Sequence, residues 1–151
     1  MKSNGPSDLR RAVGRLPTGL YVMTAAFENK RSGTLVTSVG RCADEPLLIC
    51  VASRKGHPIE PLIRDSHRFA VCLLEIEDKL TARHFEHPGT PEDRVDPFDS
   101  LEVTHLVGHA PVLKKAALAL DCDVFRHFDL DADHELYIGH VLGARVGPHK
   151  G

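Results

Sequence analysis

The chain has 151 residues, a mass of 16.6 kDa, 42% hydrophobic and 26% charged residues. That is one domain, 1–151, long enough to bury a core unaided, with flexible ends expected at 1–6 and 147–151. Nineteen basic against 21 acidic residues leave a formal net charge of −2 and a pI near 6.5. Nucleic acid is thereby disfavoured as a partner, because domains that bind it carry a basic excess on one face.

No apolar run approaches the roughly 18 residues of a membrane span, and residues 1–6 lack the apolar stretch of a secretory leader. A cytoplasmic protein with no membrane partner is the expectation. Cys42, Cys50, Cys72 and Cys122 lie far apart with no C-x-x-C, three of them inside apolar runs. Reduced, unligated thiols are expected.

In chain order, Leu9, Ala12, Val13 and Leu16 recur at helical spacing, so a short helix is expected over 7–14 with Ser7 as N-cap. Strand formers at 20–27 and 34–39 flank the polar residues 28–33, which reads as a hairpin. The runs 47–52 and 69–74 are unbroken apolar strands, each expected to be covered on both faces. Between them, 58–65 reads as a helix opened by Pro58, and a second helix is expected over 79–86. Pro88, Gly89, Pro91 and Pro97 make 87–100 a surface excursion.

Two long strands end the chain. Leu118, Leu120, Cys122 and Val124 alternate with Ala119, Asp121, Asp123 and Phe125, and Leu136, Ile138, Leu142, Ala144 and Val146 share one face of the last strand. One face of each is expected in the core, and His140, on that face, reads as a buried histidine. Many strands, few short helices and no βαβ alternation predict a mainly β fold, an antiparallel barrel with helical decoration.

The segment Ser53-Arg54-Lys55-Gly56-His57-Pro58 joins a strand to a helix N-terminus and offers a hydroxyl, cations and a glycine. Such a junction suits a phosphate, although Glu60 in the first turn opposes an anion and a solvated basic loop has the same residues. Thr37 and Ser38 place two hydroxyls at a strand end, as a flat heteroaromatic ligand requires and as ordinary strand chemistry also allows. Ten histidines invite a metal, but the pairs His84/His87 and His105/His109 lack the partners of a zinc site, so none is expected. His134 at a strand start can reach a ligand or simply pair with Asp133.

Taken together, Leu9 to Thr24, Gly33 to Val39, the Asp44-Glu45-Pro46-Leu47-Leu48 turn, Ser53 to Ile59, Phe69-Ala70-Val71, Gly108 to Leu113, Leu120-Asp121-Cys122 and Asp133 to Val141 resemble, in order and spacing, the flavin reductase-like, FMN-binding split-barrel family. The resemblance covers about 9–146. It implies a split β-barrel with a few short helices, a homodimer with flavin near its interface, and hydride transfer from NAD(P)H to flavin, often on behalf of a partner oxygenase. It further implies that Val36, Thr37, Ser38 and Val39 line the isoalloxazine, that Ser53, Arg54, Lys55 and His57 hold the ribityl phosphate, and that His134, the candidate catalytic residue, stands near the nicotinamide.

Three positions depart from the family pattern. Thr37-Ser38-Val39-Gly40-Arg41-Cys42 replaces a serine-rich run, Glu45 replaces a proline, and His140 stands where glutamate is frequent. FMN is expected over FAD, since the short phosphate-side loop suffices for a monophosphate. A non-enzymatic flavin carrier, store or sensor is the rival on the same barrel, with haem binding as another.

Overall fold

The computed structural model describes residues 5–86 and 95–149. Its first element is α1 (Pro6–Val13), capped by the backbone of Gly5 with no side-chain cap. Ser7 is therefore not the N-cap but lies inside the helix, because Pro6 carries a helical φ and needs no hydrogen bond at the first position. This helix buries none of its residues.

Strands β1 (Tyr21–Phe27) and β2 (Lys30–Val36) form the hairpin, but its turn is Glu28-Asn29 alone, with φ of 48° and 65°. Two left-handed residues match the twist of the flanking strands. Residues 30–33 accordingly belong to β2 rather than to a turn. Gly33 is needed there, since a Cβ would sit 2.7 Å from the Phe85 ring and 3.0 Å from that of Phe98. The run 34–39 is also not one strand: β2 stops at Val36, and β3 (Ser38–Ala43) begins after Thr37.

Then follow β4 (Leu48–Arg54), α2 (Ile59–Ser66), β5 (Arg68–Leu73), α3 (Lys79–His84), the short pair β6 (Val103–Thr104) and β7 (Val112–Leu113), β8 (Leu118–Asp129) and β9 (His134–Val146). Pro58 is the N-cap of α2 rather than its first residue, so the helix starts one position later than expected. Of the surface excursion, 87–94 lies outside the described residues, as do 1–4 and 150–151 of the expected flexible ends.

Seven strands form one antiparallel sheet in the order β2-β1-β5-β8-β9-β4-β3. Laid flat, its edges would be about 29 Å apart at normal strand spacing. Val36 near one edge and Val39 at the other nevertheless pack on one cluster with Met23, Val51, Phe69 and Tyr137. The sheet must curl around that cluster, and Ile59, Leu62 and Ile63 of α2 fill its hollow. Among the described residues no pairing joins β2 to β3, so a closed barrel is not formed.

A second cluster covers the outer face of β1, β5 and β8, built from Val22, Ala70, Cys72 and Ala119 with Phe85, Phe98, Val112 and Leu113. Strand β5 is thus buried on both faces, as its unbroken run implies. On β4 only Leu48, Ile49, Val51 and Ser53 are buried; Cys50 and Ala52 on the outer face are half-covered. The first half of β8 is also buried on both faces, Leu120 and Cys122 inward and Ala119 and Asp121 outward.

The last strand faces the opposite way from its apolar alternation. Glu135, Tyr137 and Gly139 point into the core, while Leu142 is 38% and Val146 88% exposed. The interior there is filled by Phe69, whose ring would meet a Cβ on Gly139 at 2.6 Å, so no large side chain fits on the inward face. His140 is half-buried on the outer face and is not a core histidine.

Candidate functional site

Strand pairing gathers the expected site residues at one end of three neighbouring strands. Arg54 lies opposite His134 and Ser53 opposite Glu135 where β4 meets β9; on the other side of β4, Ser38 lies opposite Ala52 and Val39 opposite Val51. The orientations differ. Val36 is buried in the core and Val39 is half-buried against it, whereas Thr37 and Ser38 expose their hydroxyls.

Ser53 is buried, at 2% exposure. Arg54 projects outward with Nη1 3.5 Å from the Asp133 carboxylate, and the Lys55 ammonium donates to Asp129. That bond raises Lys55 above the usual lysine range and lowers Asp129 below the usual carboxylate range. Gly56, at φ 86°, donates its N–H to Glu60 Oε1 at 2.8 Å. The basic loop therefore already has carboxylate partners for both cations and for its glycine amide.

His57 is not turned toward an anion. Its Nδ1 accepts the Ile59 N–H at 3.0 Å and so caps α2, while Nε2 is enclosed without a partner among the described residues. Accepting at Nδ1 requires the proton on Nε2, and burial holds the ring neutral by lowering its pKa to about 4. His134, part-exposed, donates from Nδ1 to Asp133 Oδ1 at 2.9 Å, because a carboxylate only accepts. This bond is the main cause of the lowered Asp133 pKa, and in the neutral ring it leaves the Nε2 lone pair free.

Thr37 also lines a groove of about 720 Å³, together with the apolar Leu73, Leu74 and Ala82 and the charged Glu75, Asp78, Lys79, Arg83 and Glu86. That volume is in the range of small-ligand sites, and an apolar floor with a few hydroxyls suits a flat ring. The residues present thus fit a flavin ring at Thr37. A comparable cavity of about 730 Å³ is walled by Glu28 to Arg31, Arg68 and His109 and contains none of the expected residues.

Sequence reasoning missed the α3 side of the groove, because the pattern over 79–86 indicates a helix and nothing about what it faces. It also missed a cluster beside Ser53 that runs from the core to the surface: buried Glu135 accepts from the Tyr137 hydroxyl and from Nε2 of the exposed His127, the latter at 3.1 Å. Burial and that carboxylate push the Tyr137 phenol up, and the His127 ring stacks on it at 4.5 Å.

Residues 13–151 match the flavin reductase like domain, and the chain belongs to that family. It is 32% identical to the NADPH-flavin oxidoreductase of Streptomyces viridifaciens over 91% of this chain and 71% of that protein. The NADH:FAD oxidoreductase SgcE6 of Streptomyces globisporus C-1027 superposes with a TM-score of 0.81 at 28% identity, covering 97% of this chain and 87% of that one. Diflavin flavoprotein A 1 of Synechocystis is 28% identical over 96% of this chain but only 25% of its own length. The chain thus spans about a quarter of the diflavin flavoproteins that it matches.

Proposed function

We propose that the chain is an NAD(P)H-dependent flavin reductase that prefers FMN. The observation that carries this reading is the groove at Thr37, which adjoins the strand end where Ser53, Arg54 and Lys55 lie beside His134. Bound flavin and nicotinamide supply the hydride chemistry themselves.

The protein's part is placement and exclusion of water. Thr37 and Ser38 hydroxyls, with backbone groups of Val36 to Val39, bond the polar edge of the ring, and Leu73, Leu74 and Ala82 keep water from its face. Arg54 and Lys55 face the phosphate, while Ser53 is buried beneath them. His134, oriented by Asp133, presents Nε2 as an acceptor for the nicotinamide carboxamide.

The curled sheet, open between β2 and β3, is read as the split barrel of the family. A homodimer with flavin near its interface is part of this reading, supported by exposed apolar side chains on β9 and α1, where Leu9 and Val13 are 54% and 64% exposed. A partner oxygenase as acceptor of the reduced flavin and a cytoplasmic location complete the reading. No helix among the described residues is long and apolar enough to cross a membrane.

Steady-state oxidation of NADH and NADPH with FMN, FAD or riboflavin added tests the assignment. Turnover that depends on flavin and saturates with it is expected. Tight flavin binding without nicotinamide oxidation would identify a carrier instead.

A further inference from the structure

We propose that the acidic β8–β9 turn competes with the flavin phosphate for Arg54 and Lys55, so that this chain holds phosphate-bearing flavin weakly and favours its exchange as a substrate. The inference deepens the flavin reading and rests on the phosphate lying at residues 53–55.

The turn is Asp129-Leu130-Asp131-Ala132-Asp133. Asp129 holds the Lys55 ammonium, and Asp133 lies 3.5 Å from Arg54. The turn is also tied to the loop by its backbone, since Lys55 N donates to Asp133 O at 3.0 Å. Within the turn, Asp131 N donates to Asp129 Oδ1 at 2.8 Å, which fixes the carboxylate where Lys55 meets it. On the other side, Glu60 takes the Gly56 amide.

A phosphate dianion entering this loop therefore meets two cations, Arg54 and Lys55, and four carboxylates, Asp129, Asp131, Asp133 and Glu60. Ion pairs as exposed as these are individually weak, so a phosphate can displace them. The displaced carboxylates cannot leave, because the Lys55–Asp133 backbone bond keeps the turn against the loop. They remain as like charges close to the phosphate and oppose it. Ring contacts at Thr37 are untouched by this competition, so it acts on FMN and not on riboflavin.

Fluorescence titration of FMN and riboflavin against the whole chain tests this with two double variants and one single variant. In Asp129→Asn/Asp133→Asn, the FMN Kd is expected to fall by about threefold to tenfold while riboflavin changes less than twofold, the gain shrinking as salt is added. Both side chains are largely exposed, 63% and 68%, so the near-isosteric amides should leave the thermal melt in place. Asp129→Asn alone, which keeps the Asp133 bond to His134, should retain about half of the effect on a logarithmic scale.

Arg54→Ala/Lys55→Ala is the second arm and should weaken FMN far more than riboflavin. If it does so while the asparagine variants leave FMN unchanged or weaker, the competition is refuted and the phosphate assignment stands. If it weakens both ligands alike or neither, the phosphate does not lie on this loop, and the proposal fails with that assignment.

Discussion

Arg68 reaches toward Asp121 from the neighbouring strand, its Nη2 3.5 Å from a carboxylate that is fully buried. The other carboxylate oxygen accepts the N–H groups of Val107 and Gly108 at 2.9 and 2.8 Å, while Arg68 Nη1 meets Asp123 at 3.1 Å. One buried side chain thus ties the 105–111 segment to the sheet. Asp121→Ala leaves two amides without their acceptor and Arg68 with Asp123 alone, and orphaning buried donors in this way costs about 1–3 kcal/mol each at most. Urea denaturation should show that loss, with Asp121→Asn losing less because it keeps one acceptor. An Asp121→Ala midpoint within error of the parent would mean that the pair contributes nothing.

Gly139 is the place where strand β9 has no room for a side chain. A Cβ there would lie 2.6 Å from Phe69 Cζ and 2.8 Å from Cys122 Cβ. Gly139→Ala should therefore destabilise the fold by about 1–3 kcal/mol, the usual cost of overpacking. Combining it with Phe69→Leu should restore part of that loss, since the double variant removes the contact with the Phe69 ring and leaves the one with Cys122. Simple additivity of the two losses would place the strain elsewhere.

Much of the fold can be read from residue patterns, and the failures have physical causes. Strand β5 is legible because both faces meet apolar clusters, so every position after Arg68 is apolar. Strand β9 misleads because its inward face holds Glu135, Tyr137 and Gly139, a set fixed by Phe69, Val51 and Ser53 on distant strands. No local pattern contains that information. At the site, the basic loop and His134 stand out as residue types, and their meeting follows from the Arg54–His134 register. What could not be read is that Lys55 meets Asp129, 74 residues away, or that His57 turns inward to cap α2.

His57 makes stability depend on pH. In the fold its pKa is lowered to about 4 by burial, against 6.5 when exposed. Above pH 6.5 both states are neutral and its contribution is complete; between 6.5 and 4 the unfolded chain binds the proton and the fold does not. Stability attributable to His57 is therefore lost as pH falls through that window. Incomplete burial limits the loss to about 1–3 kcal/mol. Denaturation midpoints from pH 7.5 to 4.5 should fall less steeply in His57→Gln, and parallel slopes would remove His57 as the cause.

The outer face of β9 bears directly on assembly. Leu142 and Val146 are exposed there at 38% and 88%, and Phe125 and Phe128 on the adjoining β8 at 38% and 49%. On α1 and just after it, Leu9, Val13 and Leu16 are more than half exposed, and the helix buries nothing of its own. Water contact with this much apolar surface is unfavourable, and a two-fold contact with a second copy is the commonest way to remove it. The core beneath is already filled by Phe69, Tyr137 and α2, so in the proposed reading the flavin lies on the outside of the sheet, where one subunit would cover one face of the ring. Sedimentation at micromolar concentration is expected to give about twice 16.6 kDa. Leu142→Glu combined with Phe128→Glu places charges on that face and should yield a monomer with weaker FMN binding. A parent chain that sediments as a monomer and still binds FMN stoichiometrically would show that the site is complete within one copy.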